Sequence, residues 1–300
     1  MLNIIPNIEI RTKSKYTGLS RQQRILRSLT LFVPVTILTL IVIMAIFAPL
    51  LAPYDPTKGK MTERRIPPAF LEGGSTAHLL GTDNLGRDTL SRLIYGSRVS
   101  LSVSLLAIAI TATIGTILGI LAGFLGGRID AFIMRVTDIA MSFPGLVVAL
   151  LISVGLGPGF WTVVFALSIL GWSAYARLMR GEALRIRSSD FVAQARVNGA
   201  SDFRIMIKHI FPNVINSLVV IMTLQVGMMI LAESTLSYLG IGIPAPTPSW
   251  GSMVADGRND LDRAWWISTI PGIAIGLVVM SGNFLGDWLR DKMDPRLRQL

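Results

Sequence analysis

Six times along this chain an apolar run lasts long enough to cross a bilayer, at roughly 28–52, 99–125, 132–156, 159–179, 213–239 and 267–289. A helix needs about 20 apolar residues for that crossing. Lipid offers no partner to backbone N–H and C=O groups, so only helices or closed barrels span it. The runs are continuous rather than alternating, so they are read as helices. The pattern predicts an all-α polytopic membrane protein with six transmembrane helices, preceded by a polar tail over 1–27. Three connections interrupt it: 53–98, 180–212 and 240–266.

Composition agrees with this pattern. The chain is 51% hydrophobic and 15% charged, with mean hydropathy +0.58, whereas a soluble domain carries about a quarter charged residues. It has no cysteine, which excludes disulfides, thiolate metal sites and cysteine nucleophiles. The net charge of +10 is read as the lysine and arginine that cytoplasmic loops collect, rather than as a nucleic-acid surface. With both termini inside, inner segments hold 19 of these residues and outer segments 9. The first outer loop, with seven, runs against the trend. No small-residue cleavage site follows the first span, so it is expected to remain as an anchor.

Within the second span Ala107, Thr111, Gly115, Gly119, Gly123 and Gly127 recur at every fourth position. Small residues at that spacing let helix backbones approach closely, so they predict a packing seam, within the chain or across a subunit interface. In the first outer loop Thr82 or Asp83 is a candidate N-cap. Leu90, Leu93 and Ile94 then share a face, as in a helix lying on the membrane surface. The last outer loop reads GIPAPTPSWG, a stiff extended segment, and Trp250, Trp265 and Trp266 suit an interfacial aromatic belt.

Chemistry is sparse. His78 and His209 are the two histidines and both lie outside the spans, so Ser173 in GWSAY has no base within reach for membrane hydrolase chemistry. Neither HExxH, nor a metal-spaced Cys/His cluster, nor a phosphate-cradling GxxxxGK[ST] occurs. ATP-driven transport would therefore need another polypeptide to bind ATP and magnesium. Intramembrane charge is the usual sign of ion coupling, and only Arg135, Asp138, Glu233 and Asp287 qualify. Arg135 and Asp138, three apart, are spaced to pair on one helix face. Glu233 is either a structural hydrogen-bonding group or part of a polar path. No chain of acids crosses the membrane, which weighs against an ion-coupled secondary transporter.

The 180–212 connection carries SSDFVAQARVNGASDFRIMIKHIFPN. It reads as two short helices joined at Gly199, with Asn198-Gly199 as the break, Ser201 as N-cap of the second, and Pro212 where that helix stops. Phe203, Met206, Ile207 and Ile210 fall at i, i+3, i+4 and i+7, one apolar face. Such a helix either rests on the inner leaflet or docks in a groove of a partner.

Ala193-Gln194-Ala195, Gly199 with Ala200 after it, and Phe211-Pro212 resemble the cytoplasmic EAA loop of ABC importer permeases. HLLGTDNLGRD, LSRLIYGSR, PSWGSMVADGR and NFLGDWLRDKMDPRLR resemble motifs of one branch. That branch is the C-type permease of the dipeptide, oligopeptide and nickel importers. The resemblance runs from about residue 45 to the C-terminus. It implies a type I importer (MetI-like) permease fold in the plasma membrane. It also implies a heterodimer with a second permease, two cytoplasmic ATPases that bind ATP and magnesium, and an extracytoplasmic binding protein. The loop would supply the coupling helix that sits on the ATPase and moves as a knob, with Pro212 passing the motion into the fifth span. The outer segment Pro244–Trp250 would meet the binding protein or close a gate. The family usually opens its loop with glutamate; here that position is Ala193, so docking is expected through apolar packing. The substrate implied is a peptide, with nickel or a metal complex as the alternative.

Overall fold

A computed structural model of the chain describes residues 21–293, with side chains from Phe32 onward except that of Leu170; most of the 1–27 tail lies outside the described residues. The described residues form no extended strand, only isolated bridges at Gly59–Arg87 and Thr82–Asp88. In chain order the helices are α1 (Arg21–Ile46), a single turn α2 (Ala48–Leu51), α3 (Thr89–Leu125), α4 (Gly127–Ser142), α5 (Gly145–Leu156) and α6 (Phe160–Arg187). There follow α7 (Asp190–Val197), α8 (Asp202–Ile205), a π turn over Met206–Ile210, α9 (Phe211–Tyr238), α10 (Trp250–Gly257), α11 (Leu261–Ala264) and α12 (Trp266–Met293).

Among the described residues four helices are long and apolar enough to span a membrane, or five with one bent pair. One of the six spans read from the sequence is interrupted. The first apolar stretch is helical, within α1. The third is broken: α4 and α5 meet at an angle of 83°. The break falls at Phe143-Pro144, where Phe143 takes φ −96°, ψ 140°. A residue before proline is pushed out of the helical region, because the proline ring meets its backbone and Cβ.

The helix after the first loop also differs from expectation. α3 has 37 residues, about 55 Å at 1.5 Å per residue, against a hydrocarbon core of about 30 Å. Leu90, Leu93 and Ile94 therefore belong to an extension of the span and not to a separate surface helix. Its N-cap is Asp88, which accepts from the Ser91 N–H at 2.7 Å. Neither Thr82 nor Asp83 has that role.

The small-residue seam lies within the chain, between α3 and α6. A Cβ on Gly119 would meet the Ala176 carbonyl oxygen at 2.5 Å and Met179 Cβ at 2.7 Å; one on Gly123 would meet Arg180 O at 2.6 Å. A Cβ on Gly115 would collide with Tyr175 Cβ. Ala107 and Thr111, earlier in the repeat, are fully buried. Gly127 does not belong to the seam: α3 ends at Leu125 and nothing lies near a Cβ placed there. Contacts advance in the same direction along both helices, so α3 and α6 run parallel. The broken pair α4–α5 is the return between them.

α9 packs against α12 in the opposite sense, with Gly227 on Val279 and Gly286 on Leu224. One apolar core joins α3, α5, α6 and α9 around Val103, Val163 and Leu236; another joins α1, α3, α9, α10 and α12 around Ile230, Trp250 and Val278. Trp250 and Trp266 are almost completely buried, so the aromatic-belt expectation fails for them; Trp265 is 38% exposed. Burial of their rings pairs each indole N–H with a carbonyl: Trp250 Nε1 donates to Leu93 O at 3.0 Å, and Trp266 Nε1 to Thr82 O at 3.1 Å.

Candidate functional site

The bundle has two polar ends. α3 begins beside Trp250 and ends at Gly126, against Arg187. The α7–α8 loop therefore lies at one end of the bundle, and residues 53–88 and 249–266 lie at the other.

At the first end, α7 turns its Val192 and Ala195 inward onto Ile120, Phe124, Met179 and Ala183. It is closed by a Schellman motif: Ala200 N–H donates to Ala195 O and Gly199 N–H to Arg196 O, both at 3.0 Å. That motif requires a left-handed residue, and Gly199 has φ +77° with open space about it. The interval from Ala195 to Gly199 is thus set by backbone geometry rather than by packing. Arg196 lies 5.2 Å from the centroid of the Phe124 ring and tethers the loop to the end of α3. Ala193 and Gln194, beside Ala195, are exposed.

Ser201 caps the next helix, accepting from Arg204 N at 3.4 Å. This helix does not stop at Pro212. α8, the π turn and α9 form one helix from Asp202 to Tyr238, and Pro212 occupies its first turn after the π turn, where α9 begins. The apolar face read at i, i+3, i+4 and i+7 divides here. Ile210 points inward and is fully buried, joined by Ile205, which the pattern had not included, and by Val214. Phe203 is 69% exposed and Ile207 50%; Met206 is partly buried against the inner cluster. The cause is the π turn, in which Phe211 N–H bonds back five residues to Met206 O. The wider turn brings Ile205 and Ile210 onto one face, a register the 3.6-residue period does not contain.

The charges assigned to the spans also rearrange. Asp138 pairs with Arg177 of α6 at 2.5 Å, with both side chains exposed, and not with Arg135 on its own helix. A partner on an antiparallel neighbour won over one three residues away. Nearby, Asp130 holds Arg180 in a two-pronged contact at 2.5 and 2.6 Å. Glu233 has no exposure at all. Ser100 Oγ and Ser237 Oγ donate to it at 2.9 and 2.8 Å, and Trp250 N–H donates to Ser100 Oγ at 3.2 Å. The carboxyl therefore joins α3, α9 and α10 as a buried hydrogen-bonding group.

At the opposite end, the sequence pattern gave no hint of a buried ionic clasp. Asp83 Oδ2 accepts from Arg87 Nε at 2.6 Å and lies 3.4 Å from Arg92 Nε. Asp256 Oδ2, from α10, takes Arg87 Nη2 at 3.0 Å and Arg92 Nη2 at 2.9 Å. Asp83 Oδ1 meanwhile accepts the N–H groups of Leu85 and Arg87 at 2.8 and 2.9 Å. Asn84 Nδ2 donates to Asp256 O at 2.6 Å, and Arg65 pairs with Asp260 at 2.8 Å. His78 Nδ1 sits 2.9 Å from Asp88 Oδ1. The motifs TDNLGRDTLSR and SWGSMVADGR, distant in sequence, are the two halves of this clasp. The available signal was charge alternating with small residues in both, but nothing local shows which charge meets which.

Residues 115–299 match the family described as the binding-protein-dependent transport system inner membrane component. The chain belongs to this family. Residues 32–68 match the N-terminal TM domain of oligopeptide transport permease C. The permease is 43% identical to the di/tripeptide transport system permease protein DppC of Pseudomonas aeruginosa over 86% of each chain. It is 41% identical to the dipeptide transport system permease protein DppC of Bacillus subtilis, over 88% of this chain and 81% of that one. With the glutathione transport system permease protein GsiD of Pectobacterium atrosepticum it shares 39% over 86% of this chain and 84% of the relative. The permease is thus a membrane-embedded transport component without an ATPase site of its own, in a system that depends on a binding protein.

Proposed function

We propose that this chain is one permease subunit of an ATP-driven peptide importer in the plasma membrane, with both termini cytoplasmic, and that residues 185–212 dock a cytoplasmic ATPase. Its partners in that reading are a second homologous permease, two ATPases that carry ATP and magnesium, and an extracytoplasmic binding protein. The relatives quoted above are named for di- and tripeptides, dipeptides and glutathione, which supports peptide over a metal complex.

The observation that carries the docking role is the division of the apolar stripe. Phe203 and Ile207 stand out from a short capped helix, while Ile205 and Ile210 fix that helix to the bundle. An exposed aromatic on a helix face with a rigid inner anchor is suited to a groove in another protein. Ala193, Gln194, Gly199, Ala200 and Ser201 shape this knob, and Met206 bridges its two faces. Since the helix runs unbroken from Asp202 to Tyr238, a displacement of Phe203 is delivered along α9 as through a lever. ATP acts only by binding the two arrangements of the complex unequally.

The test is Phe203→Asp in the complete complex. The variant is expected to stay in the membrane with its fold intact while ATPase co-purification and uptake drop together. Undiminished co-purification and uptake refute docking through this face. For orientation, a thiol placed at Phe203 should react only with reagent supplied from the cytoplasmic side.

A further inference from the structure

At the end that bears α7 and α8, a cleft of about 640 Å³ opens between α6, α9 and α12. That size is in the range of sites that hold a small organic ligand, about 300–1,000 Å³. Its floor is apolar, formed by residues such as Val220, Ile221 and Leu224; its rim carries Glu182, Arg185 and Arg290. Glu182 is held from both sides, accepting from Ser217 Oγ at 2.9 Å and from Arg185 Nη2 at 2.7 Å. Arg290 makes no ion pair or hydrogen bond among the described residues. The lining thus holds two guanidinium groups and one carboxylate, an excess of one positive charge. α9, which forms the wall, is the least covered of the long apolar helices, with 22% of its apolar stretch buried against 50% for α3 and 53% for α6.

We propose that this cleft is a subsite for the transported peptide, with Arg290, aided by Arg185, taking its terminal carboxylate. The inference rests on the peptide-importer reading above. An arginine fork matches a carboxylate in geometry as well as in charge. Asn216 and Ser217 on the rim supply amide and hydroxyl groups of the kind that pair with a peptide backbone, and the apolar floor suits its side chains. Glu182 is a positioning residue: by engaging Arg185 it leaves Arg290 as the group open to the incoming anion. The same anion chemistry belongs to a lipid phosphate, and the phosphate and phosphatidylglycerol arms of the test separate the two sources.

The chain contains no cysteine, so Ile221→Cys places its single thiol on the cleft floor, and Phe132→Cys, on a position 71% exposed on α4, serves as control. The assembled complex is labelled with a maleimide in the presence of dialanine, dialanine amide, inorganic phosphate or phosphatidylglycerol. Dialanine should slow labelling of Ile221→Cys but not of the control. The amide should protect roughly tenfold less well, as loss of a charge-assisted contact implies. Arg290→Gln should erase that difference and Arg290→Lys should retain part of it. Equal protection by acid and amide overturns the proposal. So does protection by phosphate or phosphatidylglycerol alone, or a thiol that another subunit covers and leaves unreactive. If uptake of dialanine and ATPase co-purification persist while protection is absent, the subsite alone is wrong. If both are absent in the unsubstituted complex, the importer reading falls with it.

Discussion

The two ends of the bundle are held by different physics. At the clasp end, buried charge does the holding. Asp83, Arg87 and Arg92 keep side-chain exposures of 3%, 8% and 3%, and the two arginines share the Asp256 carboxylate across more than 160 residues of sequence. At the docking end, apolar anchors and backbone caps do it: Ile205, Ile210 and Val192 underneath, the Gly199 turn and the Ser201 cap above. A buried ion pair is intolerant of losing one partner, because the other is left desolvated and uncompensated. An apolar anchor with an exposed neighbour tolerates change on its outer side. The clasp therefore suits a part that must keep one shape, and the loop a part that must present a surface.

This contrast is broken most severely at Asp83. Asp83→Ala leaves the two buried arginines with only the half-exposed Asp256 carboxylate and removes the acceptor of two backbone N–H groups. A loss of about 3–5 kcal/mol is expected, seen as a large fall in melting temperature in detergent. Asp256→Ala should be milder, since its carboxylate is 38% exposed. Next comes Glu233→Leu, which leaves the buried hydroxyls of Ser100 and Ser237 without their acceptor. A cost of about 1–3 kcal/mol is expected, and Glu233→Gln should recover most of it in the same melting experiment. If Glu233→Gln is as damaging as Glu233→Leu, hydrogen bonding is not what the carboxyl supplies.

At the docking end the effects shrink. Gly199→Ala forces a Cβ into a left-handed residue and should cost about 1–2 kcal/mol. Hydrogen exchange should localise the loosening to residues 190–205. Phe203→Asp should change stability by no more than about 0.5 kcal/mol, as surface substitutions do, while still abolishing ATPase association. A destabilisation comparable to Asp83→Ala would show that Phe203 belongs to the core and would erase the distinction between the ends.

The sequence by itself determined that the chain is helical and membrane-embedded, since long apolar runs leave few structures that satisfy the backbone in lipid. It also determined the close approach along Gly115, Gly119 and Gly123, the turn at Gly199 and the cap at Ser201, because each follows from spacing within one or two helical turns. What the tertiary structure decided lies beyond that range. The π turn moved Ile210 inward and brought in Ile205, Asp138 chose Arg177 on a neighbouring helix over Arg135, and two tryptophans assigned to the membrane interface became core. The clasp is the clearest case: Asp83 and Asp256 are 173 positions apart. Periodicity reports which face of a helix is apolar, but the partner a charge will find is set by how the helices are brought together.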